Sequence, residues 1–112
     1  MNSQESSDRI AQHVAAFNAA VRSGDWSSFA GRFTPDATMR FIGVPAGPFA
    51  GRAAIAEAYA RQPPTDTMAV QQTDSAGAVD TVRFGWHKGG GGVMRLSWQD
   101  ELITSLDVTF GG

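Results

Sequence analysis

The chain contains no cysteine, so neither a disulfide framework nor a thiolate metal site can form. It has no apolar run near the roughly 18 residues that a membrane helix requires, and its polar start lacks the basic flank and apolar stretch of a signal peptide. We therefore predict a cytoplasmic protein with no membrane partner. The two histidines, His13 and His87, lie far apart without acidic residues at ligand spacing, which predicts no metal site.

Charge is also scarce: 18% of the residues are charged, against 42% hydrophobic, and the net charge is −2. Basic residues are scattered from Arg9 to Arg95 instead of clustering, so nucleic acid is excluded as an expected partner. A chain of 112 residues is the size of one globular unit. We expect a single domain over residues 1–112, in which residues 1–7 form a disordered tail.

Apolar residues at steps of four, three and four predict an amphipathic helix from Ser7 to Gly24, with Ser7 and Asp8 as capping candidates. A second, shorter helix is expected over residues 26–33. A third is predicted over residues 52–62, where Pro63 ends it. The stripe of the first helix consists of Ile10, Val14, Phe17 and Val21.

The second half of the chain has the alternating period of strands. One strand is expected at residues 37–42 after a turn at residues 34–36, and four more form an antiparallel meander. Gly89–Gly92 lacks the helix and lysine that follow a phosphate-binding loop, so it is interpreted as a flexible hairpin tip. Helices first and strands later predict an α+β domain. The meander strands are Met68–Thr73, Val79–His87, Val93–Gln99 and Leu102–Phe110.

Three segments, in their order and spacing, resemble the nuclear-transport-factor-2-like superfamily, which includes ketosteroid isomerase and the SnoaL-like polyketide cyclases. They are Val14–Asn18 with Gly24–Trp26, then Phe33–Thr38, then Phe49–Gly51 leading into residues 53–60. The resemblance implies a cone-shaped, strongly curved, mixed or antiparallel sheet packed against three N-terminal helices, a cystatin-like roll. It also implies an apolar pocket and a homodimer. It does not define the chemistry, because this scaffold hosts enzymes and noncatalytic binding proteins alike.

Strand alternation, anchored on the family pattern after Ala37, indicates which sheet residues face the pocket. The inward set is Met39, Phe41, Asp80, Val82, Phe84, Trp86, Met94, Leu96, Trp98, Leu106, Val108 and Phe110. The predicted ligand contacts are Phe17, Met39, Phe41, Phe84, Trp86, Met94, Trp98, Val108 and Phe110. The outer face is mixed in polarity, and we expect a twofold interface there through Thr81, Arg83, Arg95, Ser97, Ser105 and Thr109.

Ketosteroid isomerase uses an Asp base, with a Tyr and a protonated Asp that hold the developing oxyanion. In this chain the base falls on Phe41, the oxyanion Asp on Met94, and the first-helix Tyr on Phe17 or, in another register, on His13. Only Tyr59 keeps a family residue. We therefore predict that steroid isomerisation by that mechanism is absent or very weak.

Three polar residues are the catalytic candidates. His13 stands one residue off the first helix's apolar stripe, so it is either a general base at the cone mouth or a helix-edge histidine that is wetted by solvent or bonded to a neighbour. Asp80 faces inward by alternation but begins a strand, so it is either a buried acid or an exposed end residue. Tyr59 either donates its hydroxyl to a ligand or is a core residue with a tethered hydroxyl.

The sequence thus favours a small protein that binds a flat hydrophobic or polycyclic molecule. Any catalysis would be proton transfer, as in an isomerase, cyclase or dehydratase, without metal or organic cofactor. The alternative is a noncatalytic dimerisation scaffold whose cone is filled by its own side chains. The side chains bulky enough to fill it are Phe17, Phe41, Trp86, Met94 and Trp98.

Overall fold

The computed structural model describes residues 3–111, with side chains described from residue 7. Its elements, in chain order, are α1 (Ser3–Ser23), α2 (Ser27–Ala30), β1 (Phe33–Ile42), β2 (Phe49–Ala50), α3 (Arg52–Arg61), β3 (Met68–Ala76), β4 (Val79–Trp86), β5 (Gly91–Gln99) and β6 (Leu102–Phe110). The strands form one six-stranded sheet in the order β2-β1-β6-β5-β4-β3. Only β1 and β6 pair in parallel among these neighbours. The predicted α+β class, with a mostly antiparallel sheet and three helices, is confirmed; the sheet is not closed.

Helix α1 begins earlier than the capping candidates indicated. The backbone of residues 3–7 is helical, where a disordered tail was expected over residues 1–7, and Met1 and Asn2 lie outside the described residues. Ser, Gln and Glu cost little in a helix, which lets the helix extend through this polar stretch. Its predicted end is confirmed: Gly24 has φ +78° and its N–H donates to the Ala20 carbonyl at 2.8 Å.

Strand β1 starts at Phe33, so the predicted turn over residues 34–36 is wrong and α2 is shorter than expected. Phe33 pairs with Ile103 and Thr38 with Ser105, and the register shifts between the two pairs. This irregularity accommodates Pro35, which cannot donate a ladder hydrogen bond. The two-residue strand β2, which the sequence pattern did not predict, pairs with β1 at the sheet edge.

The β3–β4 and β4–β5 hairpins are tighter than predicted. Residues 74–76 belong to β3 and pair with β4, which leaves Gly77 and Ala78 as the turn. Gly91 and Gly92 belong to β5, so only Gly89 and Gly90 of the four-glycine run lie in the hairpin tip. A Cβ on Gly92 would overlap the Thr109 carbonyl oxygen and would lie 3.2 Å from the Phe84 ring. Glycine here permits close packing of neighbouring backbone.

The core lies between the helices and the inner sheet face, and the predicted alternation is confirmed for most of the sheet. Phe41 and Trp86 of the inward set are only half-buried, and Phe110, at 42%, is exposed. In the strand register these three residues lie toward one end of the sheet. No helix in the described part of the chain is both long and apolar enough to span a membrane. The buried inward residues are Met39, Asp80, Val82, Phe84, Met94, Leu96, Trp98, Leu106 and Val108.

Candidate functional site

A cavity of about 250 Å³ lies between α1, α3 and the inner face of the sheet. Seven aromatic rings supply much of its wall: Phe17, Phe41, Phe49, Tyr59, Phe84, Trp86 and Phe110. Aliphatic and thioether groups complete the apolar wall: Met39, Ala46, Ala58, Pro64, Met68, Met94, Leu106 and Val108. The polar side chains besides Tyr59 are His13 and Gln62, and none of the described side chains in the lining carries a formal charge at neutral pH.

His13 lies on α1 and lines this cavity with 2% of its surface exposed. The solvent-wetted alternative is therefore wrong, because the buried face of α1 includes this position as well as the apolar stripe. Its ring packs on Phe29 with centroids 5.2 Å apart, and Nδ1 has no hydrogen-bond partner among the described residues. Burial, aided by the positive charge of Arg32, lowers the pKa of His13 to about 3. The imidazole is therefore neutral near pH 7 and is a weak base.

Tyr59 reaches the same cavity from α3, so the structure brings these two candidates together. Its ring stacks on Trp26 with centroids 4.7 Å apart and an interplanar angle of 6°, and it meets Phe29 edge-on at 5.2 Å. Burial raises the pKa of Tyr59. The hydroxyl is therefore protonated and able to donate a hydrogen bond, on a ring that packing holds in place.

Asp80 is fully buried, so the exposed-end alternative is wrong, but neither Asp80 nor Trp98 is among the residues lining the cavity. Arg9 donates to both Asp80 oxygens, at 2.7 and 2.8 Å, and the indole N–H of Trp98 donates at 2.9 Å. Burial by itself raises the pKa of this carboxyl, but the hydrogen bonds from Arg9, Ser75 and Trp98 and the charge of Arg9 outweigh it, and the pKa is lowered. Asp80 thus ties α1 to the sheet, away from His13 and Tyr59.

Several lining residues were missing from the predicted contacts, notably Phe49 of β2 and Met68 at the start of β3. The Met68 backbone is held against α1 by Asn18, whose side chain accepts from its N–H at 2.9 Å and donates to its carbonyl at 3.0 Å. Inward alternation extended to β3 would have found Met68, whereas β2 carries too short a pattern to detect. Ala46, Ala58, Gln62, Pro64 and Leu106 are the other lining residues outside the predicted contact set.

Among the residues that the structure describes, no group of three or more histidine or acidic side chains could hold a metal ion. The cavity wall offers imidazole, phenol and amide groups, which suit hydrogen bonding to a ligand better than coordination of a cation.

A six-stranded curved sheet with helices over its inner face is the arrangement of nuclear-transport-factor-2-like proteins, and the predicted superfamily is confirmed. The SnoaL-like domain family matches residues 14–104, so this chain belongs to that family. No protein with a curated description matches the sequence.

Solved structures share the fold at low sequence identity. A protein with a ketosteroid isomerase-like fold from Catenulispora acidiphila DSM 44928, solved in complex with trimethylamine, has a TM-score of 0.71 and 22% identity over 88% of this chain and 85% of its own. A nuclear-transport-factor-2-like protein from Mesorhizobium loti has a TM-score of 0.68 and 21% identity, over 94% of this chain and 93% of its own. A protein with a cystatin-like fold from Methylobium petroleophilum PM1 has a TM-score of 0.71 and 15% identity, over 94% of this chain and 77% of its own. At these identities the likeness establishes the fold alone.

Proposed function

We propose that this protein binds a small hydrophobic molecule inside the cone. The observation that carries the proposal is the cavity of about 250 Å³, whose wall is mostly aromatic and aliphatic and holds only a few uncharged polar groups. Concave apolar sites with few polar groups are typical of small-molecule binding. The trimethylamine complex of the Catenulispora relative supports ligand binding as a use of this fold.

Binding fits the cavity better than proton abstraction does. Among the described residues no carboxylate belongs to the lining, and the resemblance to ketosteroid isomerase puts Phe41 and Met94 at the positions of its base and its oxyanion acid. A general base works best when its pKa is near the working pH, and that of His13 is lowered to about 3. His13 and Tyr59 are therefore proposed as hydrogen-bonding groups for a ligand.

The scaffold alternative requires a cone filled by its own side chains. Four of the five bulky residues that would fill it, all but Trp98, instead line the open cavity. Protein interiors normally contain few voids larger than a water molecule, so an unfilled space of this size favours a ligand site.

Filling the cavity tests the proposal. Ala58 lines the cavity from α3, whereas Ala60 on the same helix is exposed. Ala58→Phe should abolish the thermal stabilisation that a neutral apolar ligand gives to the wild type, and Ala60→Phe should retain it. A panel of neutral aromatic compounds, screened by thermal unfolding, supplies the measurement. If no compound raises the wild-type melting temperature, or if Ala58→Phe responds like the wild type, the proposal fails.

We also propose that the outer sheet face forms a homodimer. It presents exposed Thr81, Arg83 and Arg95 beside half-buried Ser97 and Ser105, a mixed surface suited to a twofold interface. Sedimentation should give a dimer at micromolar concentration, and Arg95→Glu should weaken it; a wild-type monomer would contradict this. The cytoplasmic location and the absence of a cofactor stay predictions.

A further inference from the structure

We propose that the ligand is an uncharged aromatic compound of one or two rings that carries one hydrogen-bonding oxygen and places it against His13. This inference rests on the proposed function and narrows the ligand by size, charge and polarity.

The size limit follows from the cavity volume of about 250 Å³. An engineered apolar cavity of roughly 150 Å³ accommodates benzene, and pockets for drug-sized molecules begin at roughly 300 Å³. A volume between these values suits one ring or two fused rings. A four-ring molecule would have to displace packed walls, which include fully buried Met39 and Phe84.

The charge limit follows from the lining groups. Apart from His13, no acidic or basic side chain among the described residues lines the cavity, so an ionised ligand would lose its hydration without gaining an ionic partner there. His13 cannot serve as that partner, because burial and the charge of Arg32 keep its imidazole neutral near pH 7. Tyr59 is neutral as well. A neutral ligand therefore has a large advantage over an anion of the same shape.

The single oxygen follows from hydrogen-bonding capacity that the protein does not use. His13 is 98% buried, lines the cavity, and leaves Nδ1 without a partner among the described residues. An unpaired buried polar group is unfavourable, and a ligand oxygen at the imidazole would relieve that cost. Neutral imidazole has one donor and one acceptor, so a hydroxyl or a carbonyl oxygen fits.

Calorimetric titration with four probes tests the inference at pH 7: naphthalen-2-ol, naphthalene, naphthalene-2-carboxylate and 1-hydroxypyrene. Naphthalen-2-ol should bind most tightly, naphthalene about tenfold more weakly, and the carboxylate at least about 100-fold more weakly. The four-ring phenol should not bind. Equal binding of the carboxylate or of the four-ring phenol would overturn the inference and leave the proposed function standing, whereas no binding by any probe would count against both.

Matched substitutions of the two histidines test the contribution of His13 to binding. His13→Leu should bring naphthalen-2-ol to the affinity of naphthalene, and His87→Leu, at an exposed position outside the cavity lining, should change neither affinity. His13→Gln, which keeps hydrogen-bonding capacity, should retain part of the preference and serves if His13→Leu fails to fold. An unchanged preference in the His13 variants would overturn the role of this residue.

Discussion

Acid should destabilise the protein through His13. Its pKa is 6.5 in an unfolded chain and about 3 in the folded protein, because burial and Arg32 disfavour the charged imidazole. Between these values the unfolded chain binds a proton that the folded protein does not, so the free energy of unfolding falls as the pH falls from about 6.5 toward 3. The slope is about 1.4 kcal/mol per pH unit for the one proton involved. The accumulated loss at pH 4 is about 3 kcal/mol, a large part of a typical stability of roughly 5–15 kcal/mol.

Urea unfolding followed by tryptophan fluorescence between pH 7 and pH 4 measures this loss in the wild type, His13→Gln and His87→Gln. His13→Gln should be less stable than the wild type at pH 7. It should lack the part of the stability loss in acid that comes from His13, so the difference in free energy of unfolding between the two proteins narrows as the pH falls. His87→Gln, at an exposed position, should follow the wild type. Parallel pH profiles for the wild type and His13→Gln would refute the reasoning, because they would mean that His13 titrates alike in both states.

Two further substitutions probe the frame around the cavity, each measured by urea unfolding. Asp80→Asn should cost about 2–4 kcal/mol, because it leaves Arg9 facing an uncharged group in a buried site. The pKa of Asp80 is lowered in the folded protein, so its carboxylate contributes its full stability above the ordinary pKa near 3.8. This contribution is lost as the pH falls through the lower folded-state pKa, so the stabilities of the wild type and Asp80→Asn should converge in strong acid. A stability difference that does not change with pH would contradict this prediction. Gly92→Ala should lower the free energy of unfolding by at least about 2 kcal/mol, because its Cβ overlaps the Thr109 carbonyl. Gly31→Ala, at a helical φ of −63°, should change it by less than about 1 kcal/mol. Equal effects of the two substitutions would contradict this prediction, because they would show that the sheet relaxes around the added methyl group.

The sheet and its inward face were largely predictable, because strand alternation and helical spacing report burial directly. The bounds of β6 were predicted without error, and Met39, Phe84 and Met94 face inward as expected. The errors lie where local signals conflict with tertiary pairing. Pro35 is typical of a turn, so a turn was predicted at residues 34–36. In the structure β1 runs through these residues, because it pairs in parallel with β6 on both sides of an irregularity in the register.

The residues that line the cavity were predictable only in part, and their electrostatics less so. The offset of His13 from the apolar stripe left open whether it was wetted or buried, because the two cases differ by a small rotation of α1. Asp80 could not be separated from the cavity by sequence, since its partners Arg9 and Trp98 lie 71 and 18 positions away. Long-range pairing of this kind leaves no periodic trace in the chain.

Nuclear magnetic resonance of the methionine methyl groups tests ligand binding in the cone most directly. Met39, Met68 and Met94 all line the cavity, whereas the indole N–H of Trp98 is bonded to Asp80 outside its lining. Titration with naphthalen-2-ol or naphthalene should shift these three methyl signals through the ring current of the bound aromatic, leave the Trp98 indole signal in place, and have little effect on Ala58→Phe. Methyl signals that stay unchanged up to the solubility limit of both compounds would contradict the proposed ligand site.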